Sequence, residues 1–270
     1  LTIFVADRHC RASKLTLSTF ADHFSSNAAG YARFRPRYPA RLFDELTARL
    51  PDKATAWDCA TGNGQAAVAL AESIEQVFAT DASPEQISHA QPHPRVDYRV
   101  APAEHSGLDA ASVDLVTVAQ ALHWFDLNAF YSEVKRVLRP GGLLAVWCYG
   151  PPELDSNPLQ NRLSHYYQDV LGPYWPPERR LVEEGYRSLS FPFEELAAPK
   201  LSMSADFNLD ELLGYLGTWS ATLRYRQAEG HDPLADLKAR LLPDWGETNH
   251  RRKLVWPLAV RLGVHSAMCQ

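Results

Sequence analysis

Nowhere does this 270-residue chain run through eighteen consecutive apolar residues, so hydrophobicity alone rules out a membrane-spanning helix. Cysteine is scarce. Cys10, Cys59, Cys148 and Cys269 are scattered without C-x-x-C spacing, which excludes a zinc ribbon and a disulfide framework and suits a reducing, cytoplasmic setting. A surplus of positive charge is also missing: the formal net charge is −5, which offers no general attraction to nucleic acid or to an acidic membrane. Internal repeats and low-complexity tracts are absent. Residues 1–6 are apolar, but Arg8, Arg11 and Lys14 follow them, the reverse of a secretory signal, and residues 1–20 read as a flexible arm.

What is present is 46% apolar and 22% charged, enough for one sizeable core with embellishments. The stretch Trp57-Asp58-Cys59-Ala60-Thr61-Gly62-Asn63-Gly64-Gln65 organises the rest. An apolar run over residues 55–57 ends in an acid, passes through small residues and opens into an Ala-rich segment over 66–71, which spells strand, tight loop and helix. Glycine serves such a loop by adopting positive φ and by letting a ligand approach the main chain, while the helix N-terminus presents free N–H groups.

Strands and helices then alternate. Residues 76–80 form a second strand ending at Asp81, residues 96–100 a third leading to Ala103 and Glu104, and residues 113–119 a fourth leading to Gln120 and His123. A helix over 127–138 stops at Arg139-Pro140-Gly141-Gly142, and a fifth strand covers 143–149. This spacing predicts βαβ units, a parallel sheet covered on both faces, and ligands beyond the carboxyl ends of the strands, where Asp58, Asp81, Glu104 and Gln120 all fall. The Asp81 carboxylate, with two acceptor oxygens, can take both hydroxyls of a ribose.

Upstream, Arg33, Arg35 and Arg37 sit among aromatics in an extended link stiffened by Pro36 and Pro39, ahead of an amphipathic helix over 40–50. Downstream, Pro151-Pro152 opens an insertion over 151–190 with a helix at 159–171, read as a cap on the sheet edge. Its Tyr166, Tyr167, Tyr174 and Trp175 fit core packing or a substrate equally well. Residues 191–270 complete the sheet, with a strand at 200–208, helices at 209–217 and 233–242, and a last strand at 251–263 in which Pro257 demands a bulge or an edge.

Two nucleotide-type ligands fit the loop. Gly62-Asn-Gly64-Gln-Ala-Ala67 satisfies the dinucleotide pattern G-x-G-x-x-A with Asp81 about twenty residues on, which leaves an NAD-dependent oxidoreductase open. Asp58 ahead of the glycines makes a D-x-A-x-G-x-G string that resembles motif I of the class I S-adenosylmethionine (SAM) methyltransferases, with Ala60 in place of the first glycine. Tyr31-x-x-x-Arg35-Pro-x-Tyr-Pro resembles the segment that precedes motif I in the type 11 group, and Arg136-Val-Leu-Arg-Pro-Gly-Gly142 resembles its later turn. Over residues 24–149 the chain is similar to that family, closest to the type 11 and trans-aconitate methyltransferase-like group.

The resemblance implies an α/β, Rossmann-like doubly wound, mostly parallel seven-stranded sheet, with the SAM-binding core over 21–150 and the helical cap inserted after strand five. It implies SAM at Tyr31, Arg35, Asp58, Ala60, Gly62, Gly64, Asp81, Ala103, Glu104 and Gln120, with Tyr31 and Arg35 over the methionine end and Ala103-Glu104 at the adenine edge. The implied function is methyl transfer to a small molecule, a carboxylate among the candidates, without nucleic acid, membrane or metal; the non-enzyme alternative is a SAM-binding protein that transfers nothing. His123 is the candidate base, or else a helix-start histidine held by Trp124. Two further spacings are read as decoys. Tyr131-x-x-x-Lys135 lacks the T-G-x-x-x-G-x-G loop of short-chain dehydrogenases, and His89 and His93, at i, i+4, have Pro92 and Pro94 between or beside them and no third ligand.

Overall fold

A computed structural model describes residues 35–51 and 54–266. Tyr31, Arg33, Cys10, Cys269 and the arm at 1–20 lie outside the described residues.

Helix α1 (Ala40–Thr47) starts directly after Pro39 and buries Leu42, Phe43 and Leu46 on one face. The chain then alternates through β1 (Thr55–Cys59), α2 (Gln65–Ala71), β2 (Gln76–Asp81), α3 (Pro84–Ser88), β3 (Val96–Val100), β4 (Val113–Ala119), α4 (Leu127–Val137) and β5 (Leu138–Tyr149). Ser83 caps α3 ahead of Pro84, and the Asp126 side chain accepts from the Asn128 and Ala129 amides to cap α4. Beyond β5 come β6 (Glu153–Leu154), α5 (Asn157–His165), α6 (Arg179–Glu183), β7 (Glu194–Leu196), β8 (Leu201–Phe207), α7 (Leu209–Gly217), α8 (Ser220–Glu229), α9 (Pro233–Trp245) and β9 (Arg252–Val264).

Strands β3, β2, β1, β4 and β5 pair in parallel in that order, and β9 runs antiparallel to both β5 and β8. Nine strand segments occupy seven places. β6 pairs with β9 on the side that β5 uses, and β7 pairs with it on the side that β8 uses. Pro257 falls in the two-residue gap of β9 that lies between its β6 and β5 pairings, so no ladder bond on that side misses its N–H.

Alternate residues feed two cores. Ala56, Val77, Ala79, Leu115, Ala145 and Trp147 face α1 and α2, and with them Tyr166 and the buried side of α7 and α9. Trp57, Val116, Val118, Val146 and Cys148 face α4, Val182 and Tyr186. Two local expectations need correction. The helix expected at 159–171 is split: α5 ends at His165, and Tyr166–Val170 is a π turn closed by the Leu171 amide on the Tyr166 carbonyl. The turn expected at 139–142 belongs to β5, as an excursion between Leu138 opposite Val113 and Leu143 opposite Leu115. Arg139 pins that excursion through a 2.5 Å ion pair with Asp114, and Gly141 and Gly142 bond His265, the residue after β9. Among the described residues no helix is long and apolar enough to cross a membrane.

Candidate active site

After Cys59 the chain turns through left-handed Ala60 (φ 54°), Gly62 (56°) and Gly64 (84°) before α2 begins. Ala60 therefore takes the conformation that suits glycine, at about 1–2 kcal/mol for its Cβ. The two glycines answer to different neighbours. A Cβ on Gly62 would meet only Gln86 Oε1 at 3.8 Å, whereas one on Gly64 would stand 2.1 Å from the Tyr98 hydroxyl. Gly64 thus makes room for a side chain of β3 and does not line the cavity beside the loop.

Asp58 also stays out of the cavity wall. It is buried under the loop, where the hydroxyls of Thr61 and Thr117 donate to its two oxygens at 2.6 Å each. Burial pushes its pKa up to about 6, against the lowering effect of those hydroxyls. Asp58 and Gly64, both expected at the cofactor, do not line the cavity and shape the loop from behind.

The remaining strand ends do converge on one cavity of about 850 Å³, at the large end of ligand sites. Asp81 lines it and accepts from the Gly62 and Ser83 amides at 2.9 Å each, one on each oxygen, which ties the end of β2 to the loop. Ala60, Gly62, Ala103, Glu104, Gln120 and His123 line it too. Glu104 is oriented by the Asp126 amide at 3.0 Å. Gln120, at φ 59°, exchanges both amide bonds with the Tyr149 backbone and so zips the end of β4 to β5. Arg35 enters from the proline-stiffened link, donates to the Tyr149 hydroxyl at 3.1 Å and lies over the Tyr215 ring.

His123 sits in the short helical turn Leu122–Trp124, against Trp124 and Tyr186, and its Nδ1 is 2.8 Å from the Tyr186 hydroxyl. Burial, and then the Arg179 charge, push its pKa down to about 3. It is a neutral imidazole across the physiological range.

The roof was not legible in the motifs. Trp175, Pro176, Arg179 and Val182 come from the stretch after β5, while Tyr215, Trp219 and Ser220 come from α7 and α8. Arg162 on α5 pairs at 2.5 Å with Asp244 on α9, the helix that follows α8. Only the aromatic and proline cluster around Trp175 signalled this wall in the sequence; Arg179 and Trp219 carry no motif. Of the four aromatics singled out in the insertion, Trp175 reaches the cavity and Tyr166 and Tyr167 are buried in packing. The dehydrogenase-like pair is structural: Tyr131 is buried and donates to the Ser190 carbonyl, and Lys135 lies over Phe193. His89 and His93 follow the end of α3, so no helix brings them to one face, and among the described residues no cluster of three or more His, Cys, Asp or Glu could hold a metal.

The donor set fits SAM on structural grounds. Gly62 leaves the main chain open, Asp81 brings a two-oxygen acceptor to the cavity, and Val100 stands half exposed at the end of β3 beside Ala103 as an apolar platform. Residues 57–146 match the family described as a methyltransferase domain. A methyltransferase of Dictyostelium discoideum is 34% identical over 243 residues, covering 89% of this chain and 92% of that protein. The chain belongs to the class I SAM-dependent methyltransferases.

A solved structure described as a type II methyltransferase from Anaeromyxobacter dehalogenans superposes with a TM-score of 0.81 at 46% identity, covering 86% of this chain and 98% of that one. A methyltransferase of Mycobacterium tuberculosis is 40% identical over 127 residues, 46% of this chain and 51% of that protein. The cofactor of this methyltransferase is SAM, and the enzyme is a transferase built on a Rossmann-like sheet.

Proposed function

We propose that this methyltransferase methylates a carboxylate oxygen of a small organic acid. His123 carries the reading. It is the titratable side chain at the end of β4 facing the roof, and with a pKa near 3 it is too weak a base to take a proton from an alcohol, a phenol or an ammonium group. With His123 unable to take the proton, an acceptor whose lone pair is already available suits this site, and at neutral pH a carboxylate is one. A cavity roofed by helices on two stretches of chain suits a small molecule better than a polymer.

When bound, SAM supplies an electrophilic methyl group on a sulfonium sulfur. The chain's contribution is placement. Asp81 would take the ribose hydroxyls, Ala103, Glu104 and Val100 the adenine, Gly62 the main-chain approach, and Arg35 the cofactor's own carboxylate. Trp175 and Trp219 shield the acceptor from water, and alignment of this kind supplies up to roughly 7–11 kcal/mol of a barrier.

Incubation with methyl-labelled SAM and a panel of organic acids, alcohols, phenols and amines tests the reading. Label should enter acids as base-labile methyl esters. Label that enters only base-stable ethers or N-methyl groups would falsify it.

A further inference from the structure

In the roof of the cavity one guanidinium is held by aromatic groups instead of by a carboxylate. Arg179, the first residue of α6, lies with its Cζ 4.7 Å from the Trp175 ring centroid and 5.4 Å from that of Tyr167. Its Nε donates to the Tyr167 hydroxyl at 2.6 Å, and that hydroxyl donates to Glu183. Stacking and this one bond fix the plane of the fork. Neither Nη makes a hydrogen bond or ion pair with a described residue, and Arg179 lines the cavity. Its neighbours differ. Arg180 pairs with Glu184, Arg162 with Asp244, Arg226 with Asp232 and Arg261 with Glu195.

The charges of the cavity are also divided. Asp81 and Glu104 stand at the ends of β2 and β3, on the side assigned to ribose and adenine, and Arg35 reaches in from the link before α1. Arg179 comes from the stretch after β5 and lines the same cavity as Trp175, Trp219 and His123, and its charge is felt at His123. Trp175 and Trp219 have centroids 5.6 Å apart with their planes at 51°, which puts apolar ring edges and faces beside the cation. A cavity-lining guanidinium held over aromatic rings, with its Nη groups not used by described residues, is a site for a planar oxyanion.

We infer that Arg179 binds the carboxylate of the acceptor, and that the acceptor is a flat, apolar monocarboxylic acid whose body lies against Trp175 and Trp219. This rests on the carboxylate reading above. An Nη of Arg179 holds one carboxylate oxygen, and a lone pair on the other forms the O–CH3 bond as the methyl–sulfur bond breaks and its electron pair stays on sulfur. No proton moves, and the anion and the sulfonium cation become two neutral products. The neutral ester gives up the charge-assisted bond to Arg179, so the same residue that favours the acid releases the product.

The test uses trans-cinnamate, cinnamyl alcohol and methyl cinnamate as probes, titrated into the S-adenosylhomocysteine-loaded enzyme by calorimetry. Cinnamate should bind at least tenfold more tightly than the alcohol or the ester. Arg179→Met and Arg179→Lys should each lose at least tenfold of that affinity, while S-adenosylhomocysteine affinity, which reports an intact fold, stays within twofold. Lysine fails because it keeps the charge and loses the stacked fork. An acid that binds no better than its alcohol, or variants that bind it as the wild type does, overturns the role of Arg179 and leaves the methylation reading standing. Arg179-dependent cinnamate binding with no methyl ester formed from any acid in the labelled panel overturns the carboxylate reading, and the inference with it.

Discussion

Gly62 and Gly64 are two residues apart in one motif and have opposite duties. At Gly64 a Cβ combines φ +84° with a collision against Tyr98, whose hydroxyl bonds the Gln91 carbonyl at 2.7 Å, so Tyr98 must give up that bond to move. At Gly62 the space is open and φ is +56°, close to the +54° that Ala60 already sustains. Gly64→Ala is expected to destabilise the fold by roughly 1–3 kcal/mol, seen as a lower denaturation midpoint. Gly62→Ala should cost the fold less and weaken SAM binding more, because its methyl enters the cavity. Calorimetry on folded protein separates the two effects; a reversed order would show that Gly64, not Gly62, meets the cofactor.

Among the elements, β9 carries the largest share of the architecture, since β5, β6, β7 and β8 all pair with it. Gly263, near its end, has no room for a side chain: a Cβ there would lie 2.6 Å from both Phe191 Cε1 and Phe193 Cβ. Phe191 in turn packs under Arg261, 4.4 Å from its Cζ, and Arg261 pairs with Glu195. Phe193 can retreat only with its backbone. Gly263→Ala should therefore destabilise by about 1–3 kcal/mol, measured as a shift in urea midpoint with an unchanged slope. A midpoint within error of the wild type would mean that the segment over 191–193 packs loosely on β9.

For the whole molecule, folding takes up protons at one site and releases them at another. Burial raises the Asp58 pKa from 3.8 to about 6, so the folded state favours the neutral acid, and this contribution is present below pH 4 and lost as pH rises through 6. Glu133 runs the other way. Burial opposes its charge, but bonds from Arg136 and Ser106 outweigh that and hold its pKa down to about 2, giving stability present above pH 4.5 and lost as pH falls towards 2. Asp58→Asn isolates the first effect, because it fixes that site in a neutral form. The variant should gain on the wild type by up to roughly 3 kcal/mol between pH 4 and pH 7, followed by urea denaturation at each pH. A difference that does not change with pH would show that Asp58 titrates normally under the loop.

The alternation of apolar runs with glycine, proline and capping residues determined most of the sheet order's raw material, because helix and strand periods and caps are local properties. β4 and β3 fall on the expected residues, and the strand-end positions of Asp81, Glu104 and Gln120 follow from spacing alone. The D-x-A-x-G-x-G string was likewise readable as a loop for a nucleoside. Only the tertiary structure decided what each loop residue touches. Asp58 and Gly64 turn away from the cavity because Thr117 on β4 and Tyr98 on β3, remote in sequence, claim them. The roof was beyond local reading for the same reason: Arg179 and Trp219 lie forty residues apart in the sequence and share a wall only because the helices after β5 and after β8 pack together. Local pattern sets which segments form, and long-range packing sets which side chains meet.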